Sequence, residues 1–354
     1  MARKGILKRG CWRWSLTLIK DIPNDTNFNE EYEKIDDLLF YLSYSSKVWN
    51  FLHTLDEKSI TLIVDDNKKL EIEITPKMRG LLEKMRCLNA LNDNAFLPLL
   101  LSLLTIQRAG KSANEQPYTT KELEGLLEYL ERFGFLIYGV AGKNTAKNEW
   151  IELAFKAIQA YRFWGDKITI EDLPTLEKNF FNRQGNSALE LLEENIHSKK
   201  NTEKWYQWGK ALNYLLYEYE LHHNPETTLN FDGSSSIESI EHILPQNPDQ
   251  GYSAKEKNWA KNPNIVHALG NLLLMAKNAN SSLSNKPFDE KRKQYLKGSY
   301  SEKEVAKNAS FGVEQIKERS EKLLDFLIAH YRIAELVGES AIKAFKNASL
   351  KDIK

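Results

Sequence analysis

Along most of the chain, apolar residues recur at three- and four-residue spacing, the mark of amphipathic helices. The stripe is cleanest in TTKELEGLLEYLERFGFLIYG, through Leu123, Leu126, Leu127, Leu130 and Phe133. Thr119 or Thr120 is placed to cap this helix and Gly134 to stop it. FNEEYEKIDDLLFYLSYSSKVWNFLHTL carries the same spacing through Ile35, Leu38, Leu39 and Leu42. MRGLLEKMRCLNAL, NAFLPLLLSLLTIQ, NEWIELAFKAIQAYRFWGD, SALELLEENIH and TEKWYQWGKALNYLLYEYELHH continue it, and VEQIKERSEKLLDFLIAHYRI carries it near the end. Pro98 suits a first helical turn, where a missing N–H costs nothing. The many aromatics in these helices read as core, because each brings a large apolar area. SITLIVDDNKKLEIEITP is different. Its two β-rich runs flank Asp65-Asp66-Asn67 and predict a hairpin.

The texture changes at NPETTLNFDGSSS, a polar, turn-rich stretch that reads as a domain boundary. A short strand, SIESIEHIL, follows. A loop with Pro245, Pro248 and Gly251 leads to a second apolar run, LGNLLLM, and then to an asparagine-serine turn. A helix is predicted from about Pro287. Asp289 and Glu290 stand in its first turn and Lys291, Arg292 and Lys293 come next, the order that the helix dipole favours. The fold class expected is mainly α with a small α+β insert. Residues 1–235 form a mostly helical domain with a hairpin at 59–74, 236–300 form the insert, and 301–354 form a C-terminal helical segment.

Composition narrows the functional classes. Lys plus Arg and Asp plus Glu both number 49, so a polyanionic partner must be met by a local basic patch. Two cysteines, Cys11 and Cys87, form no C-x-x-C, which argues against a cysteine zinc site and fits a reducing compartment. No apolar run is long enough to span a membrane, so no membrane association is expected. The opening MARKGILKRGCWRWSLTLIKDIPN is basic, but Arg13 interrupts its apolar part and no small-residue cleavage site follows. The expected location is the cytoplasm.

One constellation carries chemistry. Glu241 and His242 stand side by side at the end of a strand-like run, Pro245 follows, and Asn271 and Asn280 lie nine residues apart beyond it. Strand, loop, strand and helix, with a histidine closing the first strand and an asparagine near the helix start, is the outline of a ββα-metal nuclease finger. Phosphodiester hydrolysis needs an activated water, a neutralised transition state and a stabilised leaving oxygen. An imidazole with a pKa near neutrality suits the first task. One hard divalent cation, Mg²⁺ or Mn²⁺, suits the others and takes oxygen ligands. Glu241 and Asn280 supply a carboxylate and an amide oxygen, His242 supplies the base, and Asn271 can hold the loop that carries it. His222-His223 reads as an exposed helix end. His267, close to Asn271 in sequence, either backs up the metal shell or, the favoured reading, packs beside the second strand. The basic run from Asn285 to Lys297 is either a solvated helix face or a DNA-backbone contact.

The stretch IEHILPQN…LGNLLLMAKNANSSLSNKPFDEKRKQY resembles the C-terminal domain of GmrSD-type restriction proteins, members of the HNH or His-Me finger nucleases. It is similar too to the HNH domain of RNA-guided DNA nucleases, where an acid-His-Ile-x-Pro-Gln run precedes two asparagines at a like spacing. The resemblance is specific over roughly residues 236–297. It implies His242 as general base, Asn271 as the middle residue of the motif, and Glu241 and Asn280 as ligands of one metal ion. It implies phosphate contacts at Lys286, beside those read for Lys291, Arg292 and Lys293. The acid is Glu241 where the RNA-guided enzymes use aspartate, one methylene shorter in reach. The resemblance also implies modified phage DNA as substrate and a ParB-like, NTP-using partner subunit. The DGQQR-type motif of the ParB-like domain and the G-x-x-x-x-G-K-[ST] loop are both missing here. The chain is therefore expected to be the nuclease half of a two-subunit system or a remnant of a longer gene. The competing readings are a non-catalytic DNA-binding or assembly subunit and a hydrolase of another phosphoester.

Overall fold

The structure is a computed structural model of the 354-residue chain. It describes residues 42–55, 59–65, 68–107, 117–160, 166–227, 229, 238–248 and 250–354. The N-terminal segment, the first part of the helix expected from Phe28, the turn residues Asp66 and Asn67, and the boundary stretch at 230–237 lie outside the described residues.

The described residues are mostly helical, and they divide into two compact units. The first falls within Met1–Asn89, Asp93–Glu131 and Thr145–Thr175. Residues 42–54 are helical, although Leu42 of the expected apolar stripe is exposed. Strands β1 (Ser59–Asp65) and β2 (Lys68–Glu73) pair antiparallel, with an irregularity between Ile63 and Asp65. Helix α1 (Pro76–Asn92) starts where the Thr75 hydroxyl accepts from the Met78 N–H at 3.1 Å. Helix α2 (Leu97–Ile106) has Pro98 in its first turn and packs on α4 (Lys147–Gln159), with the Phe96 and Trp150 rings edge-to-face at 5.1 Å. Between them α3 (Thr120–Phe133) buries all five predicted stripe residues. Thr119 and Glu122 cap it reciprocally.

Gly134 does not stop that helix. The chain continues as a π-helix over Gly134–Val140, and all seven residues are buried. A segment apolar on every side gains most from burial on every side, and the wider turn lets it present all of them to the core.

The π-helix belongs to the second unit, Ala90–Asn92, Arg132–Asn144 and Leu176–Lys354. There the Phe135 ring packs against Tyr331, Tyr214 and Trp208 at 4.6, 5.1 and 6.0 Å. Helices α5 (Leu176–Phe180) and α6 (Ala188–His197) contact the π-helix. The helix expected across 202–223 is broken. Lys204–Trp208 is a 3₁₀ turn, Gly209 takes a positive φ of 62°, and α7 (Lys210–His223) begins after it. Only glycine adopts that backbone without strain, so Gly209 is where the axis changes.

Strands β3 (Glu238–His242) and β4 (Leu272–Ala276) form a two-stranded antiparallel sheet with His242 opposite Leu272 and Glu241 opposite Leu273. Between them lie the short helices α8 (Ala254–Ala260) and α9 (Pro263–Val266). Leu272 to Met275 are all buried, which explains their unbroken apolar run: this strand is covered on both faces. The asparagine-serine stretch expected as a turn is a helix, α10 (Lys277–Leu283), whose residues include Asn280. Then come α11 (Phe288–Tyr295), α12 (Tyr300–Ala306), α13 (Val313–His330) and α14 (Glu339–Leu350).

Helix α13 passes directly over the turn before β4. The Arg319 guanidinium donates to the carbonyls of Gly270 and Leu272 at 2.9 and 2.8 Å, and the Gly270 N–H donates to Ser320 Oγ. A Cβ on Gly270 would stand 2.0 Å from the Ile316 carbonyl oxygen. Gly270→Ala must therefore push α13 away from the turn that carries Asn271. A thermal melt should show the variant less stable by about 1–3 kcal/mol, the usual cost of overpacking. A melting point equal to wild type would mean the backbone yields there.

Candidate active site

Asn271 is fully buried and is the staple of the region. It ends the 3₁₀ turn Leu269–Asn271, one residue before β4 rather than on it. Its Oδ1 accepts the Leu244 N–H at 2.7 Å, and its Nδ2 donates to the carbonyls of Leu244 at 2.9 Å and Val266 at 2.7 Å. Its carbonyl accepts from the Ile243 N–H. One amide thus ties the exit of β3 to the end of α9 and uses donors and acceptor together, as a buried carboxamide must.

His242 closes β3, 8% exposed. Its Nε2 lies 3.1 Å from Nδ1 of His267, and Gln246 Nε2 lies 3.3 Å from its Nδ1 and 3.4 Å from its Nε2. The Tyr206 ring, on the 3₁₀ turn that Gly209 ends, sits 4.9 Å from the His242 ring and stacks on that of His267 at 5.8 Å. Burial, with the His267 ring and the Lys291 ammonium adding to it, pushes the His242 pKa down to about 3. Burial lowers His267 too. Both imidazoles are neutral at neutral pH, but burial leaves His242 a weaker base than the near-neutral imidazole the sequence leads one to expect.

That shift has a consequence for stability. In the unfolded chain His242 protonates near 6.5, whereas the folded chain resists protonation until about 3. The unfolded state therefore binds more protons below pH 6.5, and stability falls as pH falls through that window. Each pH unit costs about 1.4 kcal/mol per such histidine. Urea midpoints at pH 7 and pH 5 should differ accordingly, and His242→Gln should shrink the difference. An unchanged midpoint between those pH values would contradict the burial.

Glu241 has a different environment. It is 4% exposed, and its Oε1 accepts from Lys291 Nζ at 2.5 Å and from the Tyr295 hydroxyl at 3.1 Å. Lys291 is 0% exposed and also donates to the carbonyls of His242 at 2.8 Å and Ile243 at 3.3 Å. Burial pushes the Glu241 carboxyl up and the Lys291 ammonium down, while each charge favours the other. Lys291, expected on DNA, is therefore engaged inside the protein. The reason is its register. Phe288, Lys291 and Tyr295 share the buried face of α11.

The remaining expected residues are spread over the same unit. Asn280 donates from Nδ2 to Ser239 Oγ at 2.7 Å. Strand alternation puts Ser239 and Glu241 on one face of β3 and His242 on the other. Asn280 is thus tied to the strand that carries Glu241, and the His242 ring contacts His267. Lys286 and Lys293 are exposed. Arg292 is half-buried, and its Nε donates to the Ala306 carbonyl at 2.8 Å.

The donor atoms suit a hard divalent ion in kind. Glu241 brings a carboxylate and Asn280, whose Nδ2 is spent on Ser239, an amide oxygen. The charge suits it less, because Lys291 already balances Glu241. Among the described residues no group of three or more His, Cys, Asp or Glu side chains could hold a metal ion.

Tyr206, Gln246, His267 and the inward role of Lys291 are what the motif by itself does not assign. Gln246 stood in the motif run without a role, and Lys291 left a trace in its spacing between Phe288 and Tyr295.

This region is similar to a restriction endonuclease domain, a class whose substrate is DNA. Residues 192–326 match the family model of the GmrSD restriction endonucleases, C-terminal domain. The match spans β3, β4, α10 and α11 and all the expected site residues. No curated protein and no solved structure matches the chain. Among the described residues no helix is long and apolar enough to cross a membrane.

Proposed function

We propose that the chain is an HNH-type endonuclease of a restriction system, hydrolysing DNA phosphodiesters with His242 as general base. The observation that carries this reading is the staple at Asn271. The acid-His-Ile-x-Pro-Gln run begins at the end of β3, and Asn271 binds the backbone just past the histidine. His242 is then a neutral imidazole on a fixed main chain, able to take a proton from water. Glu241 and Asn280 would hold one Mg²⁺ or Mn²⁺ through side-chain oxygens. When bound, that ion supplies charge neutralisation at the phosphate and the leaving oxygen. Lys286 and Lys293, both exposed, are the proposed contacts to the DNA backbone, with Arg292 beside them. The family resemblance supports modified phage DNA as substrate and a ParB-like NTP-using partner, and the two cysteines without a C-x-x-C fit a cytoplasmic setting.

One observation favours a second reading, a non-catalytic DNA-binding or assembly subunit. Glu241 is neutralised by a buried lysine, and a neutral ligand set attracts a divalent ion weakly. Incubating the chain with plasmid DNA, with and without Mg²⁺ or Mn²⁺ and beside His242→Ala, separates the two. An arm with a ParB-like partner and nucleotide belongs in the same experiment. Metal-dependent nicking that His242→Ala loses supports the enzyme. DNA binding with no cleavage in any arm supports the second reading.

A further inference from the structure

We propose that the cavity between α12 and α13 binds a small oxyanion, a carboxylate or a phosphate group, through the free edge of the Arg319 guanidinium. The site stands apart from the candidate active site and does not depend on the nuclease reading.

The cavity has a volume of about 150 Å³, and the residues lining it include Glu304, Asn308, Glu318, Arg319 and Lys322. Glu304 lies on α12, Asn308 just past its end, and the other three on α13. Arg319 is 7% exposed. Its Nη1 is spent on the carbonyls of Gly270 and Leu272. Its Nε and Nη2 are buried and have no hydrogen-bond partner. Those two nitrogens share one edge of the planar guanidinium, and their N–H bonds run nearly parallel. Such an edge fits two oxygens of one carboxylate or phosphate.

Charge makes the same demand. A buried cation costs free energy unless an anion balances it. Burial opposes the charge of Arg319, and Glu304 is the carboxylate that most favours it. Glu304 is already committed, however. It pairs with Lys322 and accepts from the Tyr219 hydroxyl at 3.0 Å, and it is a hydrogen-bond partner of neither free nitrogen of Arg319. A water could satisfy the two N–H groups but would leave the charge unbalanced. Lys322, its side chain half-exposed, brings a second cation to the cavity. Glu318, which is exposed, works against an anion there. The carbonyls held by Nη1 flank Asn271, so Arg319 joins this cavity to the turn that carries the staple.

The test is a calorimetric titration of the full chain at constant ionic strength, with inorganic phosphate, acetate and a single-stranded oligodeoxynucleotide in separate arms. Wild type should bind phosphate or acetate saturably. Glu318→Gln removes a like charge and should tighten binding roughly two- to fivefold, the worth of one charge near the surface. Lys322→Ala removes a cation and releases Glu304 toward Arg319, so it should weaken binding. Arg319→Gln should lose it. Saturable binding of the oligonucleotide alone, lost with Arg319→Gln, would support the site and assign its anion to a DNA backbone. Absence of saturable binding in every arm overturns the proposal. So does binding that all three variants leave unchanged, as a general salt effect would be. If Arg319→Gln fails to fold by thermal melt, Glu318→Gln still decides, because a damaged fold does not tighten binding. An affinity that fails to rise in Glu318→Gln then overturns the site.

Discussion

His242→Ala should lower plasmid cleavage by roughly 10²–10⁴-fold, the range lost with a general base. The expectation follows from the ring's place. His242 ends β3, its backbone exit is stapled by Asn271, and its ring is neutral because burial opposes protonation. Removing the imidazole takes away the proton acceptor and leaves the main chain it stood on. The variant should therefore bind DNA as well and bind Mn²⁺ equally in a titration calorimeter, while a thermal melt shows the modest loss expected for truncating a buried ring. Glu241→Ala and Asn280→Ala should do the reverse and weaken the ion first. The assignment is wrong if His242→Ala cleaves as fast as wild type at saturating metal and DNA.

Lys291→Met should destabilise the protein by about 3–5 kcal/mol, the cost of breaking a buried ion pair from one side. Glu241 would be left buried with a charge and no cation beside it. The His242 and Ile243 carbonyls would lose a donor at the same time. Urea unfolding followed by tryptophan fluorescence measures the loss. The double variant Glu241→Gln with Lys291→Met should recover most of it, because replacing both charges removes the desolvation penalty with the attraction. A single variant that moves stability by less than about 0.5 kcal/mol, as a surface substitution does, would show that the pair does not hold β3 to α11. The same double variant asks what Glu241 is for. If it folds and still binds Mn²⁺ as tightly as wild type, Glu241 is not a ligand.

Much of the helical frame was legible because a buried stripe writes itself in spacing. Leu123, Leu126, Leu127, Leu130 and Phe133 were readable as one face of α3, and they are its buried face. Glycine was harder to read. Gly134 looked like a stop and is a passage into a π-helix, whereas Gly209 lay inside an apparent helix and breaks it. A glycine permits an unusual backbone without demanding one, so the surrounding packing chooses. The asparagine-serine stretch looked like a turn because those residues compete for backbone hydrogen bonds. It is helical in α10, where Leu283 is buried and Asn280 bonds to Ser239.

The sequence by itself determined the vocabulary of the candidate site. It contained the acid-His-Ile-x-Pro-Gln run, the two asparagines nine residues apart, and an apolar strand to carry them, and the family match spans them all. Tertiary structure decided what each residue faces. His267 meets His242 across 25 residues of chain, and Lys291 meets Glu241 across 50. Periodicity says that Lys291 lies on the apolar face of α11. It does not say whether the ammonium escapes to water along that face or finds a carboxylate inside. That choice depends on what packs opposite, and the partner stands on a strand far away in the chain. Spacing along a helix or strand is a local property, whereas the burial of a charge is settled by the one neighbour that can balance it.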